Sequence, residues 1–306
     1  MTAQFTKPII KWVGGKTQIL ECIMERFPRK MVNYHEPFLG GGSVLLGLLT
    51  EVKRGSIELS GEVYAYDANE ALIYVYKNIQ TKYIELYNDL QVLIGEYNQS
   101  VGETVNRKPT NLEEAKESKE NYYYWTRSRY NNLSHDERIS TLGSAMFIFM
   151  NKTCFRGVFR VGPNGFNVPF GNNRNPEIIN RKHLEEVHQL IQGVHFEFCD
   201  FSKSIITVNL GDFVYMDPPY APEKETSFVG YTENGFNSDK HKELFKLCHS
   251  LADRGISWMM SNSDVPLVRE YFSTEKYIVE GILCKRSIHS KNPDTKAKEV
   301  IISTRP

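Results

Sequence analysis

The chain has 306 residues, 41% of them apolar, which is enough for one large or two modest domains with a full core. Its 37 Lys/Arg balance 37 Asp/Glu, and a formal charge of zero argues against a protein that coats nucleic acid along its whole surface. No apolar run approaches a bilayer span, Met1–Phe5 is no signal peptide, and the five cysteines show neither C-x-x-C nor His-partnered spacing. No membrane anchor, no metal and a reducing compartment are therefore expected.

The first motif is Lys11-Trp12-Val13-Gly14-Gly15-Lys16-Thr17, followed by a helix over 17–26. Its Gly-Lys-Thr suggests a phosphate-binding loop, but that loop needs a glycine where Ile10 stands. A strand over 33–36 then runs into Glu36-Pro37-Phe38-Leu39-Gly40-Gly41-Gly42, and a helix starts near Ser43, a good N-cap. Strand, glycine bend and helix form a unit in which bare backbone can approach a nucleotide closely, although the dinucleotide fingerprint is absent. Asp67 ends the next strand, 63–66, where a carboxylate usually holds a ribose diol; capping the following helix is its alternative role.

A helix over 69–97 leads into a loop, Asn98 to Asn111, rich in Asn, Gly, Pro and charge. Helices over 112–130 and 138–150 follow. Tyr122-Tyr123-Tyr124-Trp125 resembles a base-stacking platform, but four consecutive rings point all round a helix, so most must pack a core. Residues 119–182 carry ten Lys/Arg against four acids, which suits one phosphate-facing surface. Within them, Asn151 to Phe170 reads as a hairpin turning at Pro163-Asn164-Gly165, a ribbon that would carry Arg156 and Arg160 into a major groove. A helix over 178–192 closes this stretch. Strands are then expected at 194–198, 212–216, 256–260, 277–284 and 298–304, with a helix over 239–253.

The strand before residue 217 ends in Asp217-Pro218-Pro219-Tyr220. Two prolines stiffen the backbone and leave carbonyls to accept, Asp217 adds a carboxylate, and Tyr220 offers a flat face. That set suits an amine on a flat ring, although Asp-Pro-Pro is also a common turn.

Taken in order, Lys-Trp-x-Gly-Gly-Lys, Glu-Pro-Phe-x-Gly-Gly-Gly-Ser and Asp-Pro-Pro-Tyr resemble the Dam-type (alpha-group) site-specific DNA adenine-N6 methyltransferases. Asp67, Phe198 to Phe201, Phe166 to Gly171 and Ser261-Asn262-Ser263 extend the resemblance from Lys11 to about Ile302. It implies an α/β fold: a Rossmann-like S-adenosylmethionine-dependent methyltransferase sheet with an inserted, mainly helical target-recognition domain carrying a β-hairpin. The catalytic domain would be discontinuous, 1–72 and 190–306, around an insertion at 73–189. Trp12, Lys16, Glu36, Pro37, Phe38, Gly40, Gly42, Asp67, Asp200 and Asp217 would line the S-adenosylmethionine pocket. Asp217, Pro218, Pro219 and Tyr220 would hold a flipped adenine. Lys11, Arg156, Val158, Arg160, Asn164 and Pro169 would meet double-stranded DNA, with Arg160 reading a guanine.

The expected reaction is direct methyl transfer to adenine N6 in a short palindrome, GATC first and CATG a close second. Arg156 departs from the family pattern, where Asn is commoner before the Gly-x-x-Arg element. It is read as a phosphate clamp, a mark of a different site, or a partner of a nearby acid. An RNA or other amine substrate, or a silent DNA-binding regulator, are the alternatives. The resemblance leaves room for a cognate restriction endonuclease, and places the protein in the cytoplasm or wherever the genomic DNA resides.

Overall fold

The computed structural model describes residues 5–173, 175–222, 236–285 and 296–305. Among them, seven strands build the main sheet: β1 Tyr34–Glu36, β2 Val63–Asp67, β3 Val194–Phe198, β4 Phe213–Met216, β5 Ser257–Ser263, β6 Tyr277–Lys285 and β7 Lys296–Thr304. They lie in the order β6-β7-β5-β4-β1-β2-β3. β7 runs antiparallel to both neighbours, and the other pairs for which register is defined, β1–β2, β1–β4, β2–β3 and β4–β5, are parallel. This is the expected layered α/β architecture.

The helices that matter for the site are α1 Ser43–Arg54, α2 Glu70–Gln99, α3 Lys119–Asn131, α4 Thr141–Thr153, α5 Arg181–Leu190 and α6 Ser238–Asp253. β4 is buried along its whole length, as an interior parallel strand covered on both faces requires. Alternation sends its side chains to two layers. Phe213 and Tyr215 join Met259 and Ile301 under α1, α2 and α5, while Val214 and Met216 join Trp258, Met260 and Val300 under α6.

The first layer continues without a break into the helices between β2 and β3. Tyr97, Tyr122 and Phe149 belong to the same buried cluster as Leu45 and Ile73. The aromatic run on α3 is core, as expected: Tyr122 meets Phe149 edge-on at 5.7 Å, and Tyr122, Tyr123 and Tyr124 are all buried. The helix expected over 112–130 is two, because Ser118 caps α3 by accepting the Asn121 N–H and so restarts the helix.

Two local expectations are corrected. Ser43 is the first residue of α1 and not its cap; Gly42 occupies the cap at φ 72°, and the Ser43 hydroxyl accepts the Lys16 N–H at 3.0 Å instead. The ribbon expected from Asn151 to Phe170 is also much shorter. Asn151 to Thr153 finish α4, Phe155–Gly157 make a 3-10 turn with Arg156 at φ 56°, and antiparallel pairing is kept as a two-residue ribbon, Val161–Gly162 with Gly165–Phe166, and an isolated bridge between Cys154 and Phe170. The cause is Asn151. Its carboxamide bonds the Lys11 N–H and carbonyl and the Gly157 carbonyl, and it curls the chain back before a strand can form. Arg156 therefore sits in a tight turn, off the hairpin.

Candidate active site and DNA-binding face

The strand ends explain why distant residues meet. Glu36, Asp67, Phe198, Met216 and Ser263 close parallel strands at one edge of the sheet, and antiparallel β7 starts at that edge, which brings Glu299 opposite Ser263. The chain reverses its direction of winding between β4 and β1, and in such sheets the crevice at that point, outside the carboxyl ends, is where ligands bind.

Lys16 and Asp217 occupy this crevice. Lys16 Nζ is 2.7 Å from Asp217 Oδ2, donates to the Gly14 carbonyl at 2.5 Å, and lies 4.8 Å from the centre of the Tyr220 ring. Among the described residues no group hydrogen-bonds the other carboxylate oxygen, Asp217 Oδ1, which is buried. Burial pushes the Asp217 carboxyl above its usual range, and Lys16 opposes but does not cancel that rise. Tyr220 is partly buried and donates to Glu299 Oε2 at 3.0 Å. The loop after Tyr220 is held by Asn262, whose Oδ1 accepts the Ala221 N–H at 3.0 Å and the Ser263 N–H at 2.8 Å.

The glycine bend beside this pair cannot carry side chains. Gly40 and Gly42 have φ of 49° and 72°, and a Cβ on Gly40 would stand 2.9 Å from the Trp12 indole. On Gly42 it would strike the Tyr76 hydroxyl, which donates to the Gly41 carbonyl. Trp12 thus lies flat on bare backbone, with Phe159 stacked against it at 6.0 Å. Pro37 leads from β1 into this bend. Glu36 is 2% exposed and accepts from the Tyr34 hydroxyl at 2.7 Å; burial pushes its carboxyl well up in spite of that bond.

Asp67 accepts the Gly40 N–H and the Asn69 N–H, both at 2.9 Å, so it ties the bend to β2. Burial lifts its pKa to about 6 against these bonds. Capping α2 falls to Asn69, which accepts the Leu72 N–H. Just beyond β3, Asp200 accepts from the Ser202 N–H and hydroxyl, with Lys240 Nζ 3.8 Å away. Burial alone would raise the Asp200 carboxyl; these bonds and the lysine outweigh it and hold it below the usual range. Phe38 stacks on Phe201 at 5.4 Å, and Phe236 closes edge-on at 5.9 Å, giving an aromatic cluster next to Asp200.

These features fit S-adenosylmethionine. Bare glycine backbone, two carboxylates and an aromatic cluster follow one another along the sheet edge, as a nucleoside with a charged tail needs. Among the described residues no cluster of His, Cys, Asp and Glu could hold a metal ion, and no helix is long and apolar enough to cross a membrane.

The residues expected at DNA form a second group. Trp12, Gly41 and Ser43 line a cavity of about 320 Å³ rimmed by Lys7, Lys11 and Lys152. Burial, then the nearby Lys11, lowers the Lys152 pKa to about 8. Arg160 is exposed, and its Nε donates to Asn167 Oδ1 at 2.6 Å, which holds it along the short hairpin. Asn164 is exposed at the hairpin turn and Pro169 is exposed beyond it, where its carbonyl accepts the Phe155 N–H at 2.9 Å. Val158 packs partly against the core. Arg156 is exposed over the Phe155 ring at 5.2 Å. The hairpin is docked on α3 by Asn131, which bonds both the N–H and the carbonyl of Phe166.

Sequence reasoning missed Glu299, Asn151, Asn167 and Phe236. Asn151 and Asn167 act through backbone or through an arginine, and nothing in their local sequence marks them. Glu299 meets Tyr220 across a strand order that only the sheet reveals.

A family model described as D12 class N6 adenine-specific DNA methyltransferase matches residues 12–284. The Type II methyltransferase M.MjaIII of Methanocaldococcus jannaschii is 34% identical over 299 residues, which cover 95% of this chain and 95% of that protein. The Type II methyltransferase M1.LlaDCHI of Lactococcus lactis subsp. cremoris is 28% identical over 97% of this chain and 95% of its own length. The DNA adenine methylase of Haemophilus influenzae is 29% identical, covering 96% of this chain and 92% of its own.

Proposed function

Because the chain belongs to the D12 class of N6 adenine-specific DNA methyltransferases, we propose that Asp217, Pro218, Pro219 and Tyr220 hold an adenine flipped out of a short palindromic duplex site. The chain is an adenine-specific DNA methyltransferase, and its methyl donor is S-adenosylmethionine. That cofactor supplies an electrophilic methyl group on a sulfonium. Trp12, Lys16, the Glu36 to Gly42 bend, Asp67 and Asp200 are assigned to hold it.

Asp217 Oδ1, a buried acceptor without a partner among the described residues, carries the site reading together with the Tyr220 ring, which shares Lys16 with Asp217. An exocyclic amine is a weak nucleophile because its lone pair is delocalised into the ring. Asp217 and the Pro218 carbonyl accept its two N–H groups and favour a tetrahedral nitrogen. As N6 would take the methyl group and the sulfonium would leave as a neutral thioether, positive charge would develop on nitrogen, and the nearby carboxylate would stabilise it. Asp217 then takes up the departing N6 proton, for which its raised pKa suits it. Fixing nitrogen and methyl in line supplies the remaining gain. None of this is possible in a stacked duplex, so the base must leave the helix, and Tyr220 replaces the lost stacking.

Residues 73–189 are assigned to target recognition, with Arg160 on a guanine and Lys11, Arg156, Val158, Asn164 and Pro169 around it. GATC is the first choice and CATG the second. The Type II names of two relatives support a companion endonuclease for the same site. The test is transfer of labelled methyl from S-adenosylmethionine to duplexes carrying GATC, CATG or neither, with the product nucleoside identified. N6-methyladenine in one of the first two supports the reading; label in all three equally overturns the site assignment.

A further inference from the structure

Tyr220 follows two prolines whose backbone is stiff, yet its own ring turns about two side-chain torsions. Two contacts remove that freedom. Lys16 Nζ covers one face at 4.8 Å, and the hydroxyl donates to Glu299 Oε2 at 3.0 Å. Glu299 can reach it because β7 runs antiparallel and therefore begins at the carboxyl edge of the sheet, beside Ser263. A carboxylate here has a cost: it lies close enough to Asp217 to oppose its ionisation. A hydroxyl or amide would anchor a tyrosine without that penalty.

We propose that Glu299 is a positioning residue that fixes the Tyr220 ring at the angle needed to stack on the target adenine. The proposal rests on the reading of Asp217 to Tyr220 as the holder of that base. A carboxylate binds a phenol more strongly than a neutral acceptor does, so the ring stays aimed while a base enters and leaves. Glu299 touches neither the cofactor's nor the base's reacting atoms in this scheme; it positions the base through Tyr220, and its charge is felt at Asp217 only as the opposition already described.

The experiment is a double-mutant cycle on the full chain with duplex DNA, reading single-turnover methyl transfer, cofactor affinity and 2-aminopurine fluorescence at the target position. E299A is expected to slow transfer about tenfold, the scale of one charge-assisted hydrogen bond, with cofactor affinity unchanged. Fluorescence should rise above wild type, because the flipped base stacks less. E299Q, whose carbonyl still accepts, recovers most of the rate. In a Y220F background E299A should cause no further slowing. E299A at the wild-type rate, or a full tenfold loss on top of Y220F, overturns the proposal. Should E299A fail to fold, Y220F removes the same bond from the other end, and Y220F at the wild-type rate overturns it equally. Failure of the underlying reading looks different: Asp217→Ala would then retain transfer whatever Glu299 does.

Discussion

Lys16 Nζ and Asp217 Oδ2, 2.7 Å apart, join the first motif of the chain to the last. The Lys16 side chain is 5% exposed and that of Asp217 19%, so the pair is only partly screened by water. It leaves one Asp217 oxygen for hydrogen bonding and fixes the direction in which that oxygen points. Asp217→Ala is therefore expected to abolish methyl transfer in single-turnover assays while cofactor binding is largely kept. It should also destabilise the fold by roughly 3–5 kcal/mol, because a buried ammonium loses its counter-ion. Retained transfer would contradict the assigned role.

Arg160 is held by Asn167 and points from a docked hairpin. Arg160→Ala should cost roughly 1–3 kcal/mol of discrimination at one base pair. Asn167→Ala, which only loosens the arginine, should cost less at the same base pair. Relative kcat/KM on duplexes altered one pair at a time measures both, and an unchanged ranking of sites speaks against hairpin readout.

Asn151 joins α4, the Lys11 backbone and the Gly157 turn through three hydrogen bonds. Asn151→Ala leaves the buried Gly157 carbonyl and the partly buried Lys11 peptide groups without their partner, at roughly 1–3 kcal/mol. The urea midpoint should fall with an unchanged slope. A midpoint equal to wild type would remove Asn151 from the scaffold.

Asp67 carries a pH signature. Its pKa is about 6 in the folded protein against an ordinary 3.8, so between those values the folded chain holds the extra proton. Its stabilising contribution is full below about pH 4 and is lost as pH rises through about 6, by roughly 3 kcal/mol. Cofactor affinity should move the opposite way, since a ribose diol is held best by the carboxylate. Melting of wild type and Asp67→Asn across this interval tests it; a difference that stays flat with pH rules out the shift.

Much of this was legible in local sequence. β3 coincides with the expected 194–198, since its alternation there is strict, and Asp217 to Tyr220 announces itself by residue type. The hairpin misled because Phe155, Val158 and Phe159 read as strand. Phe159 instead packs among Trp12, Phe147 and Phe166, and Asn151 holds the preceding turn. Ser43 looked like a cap because its hydroxyl's true partner, the Lys16 N–H, lies outside the helix. Glu299 was invisible for a third reason: within an apolar-flanked strand it is one more charged residue, and only antiparallel pairing brings it to Tyr220.

Single-molecule sequencing of plasmid DNA from a methylation-deficient host expressing the chain tests the central claim most directly. N6-methyladenine confined to one short palindrome, GATC or CATG, is the predicted result. Plasmid with no modified adenine, in cells making protein that binds S-adenosylmethionine, would contradict it.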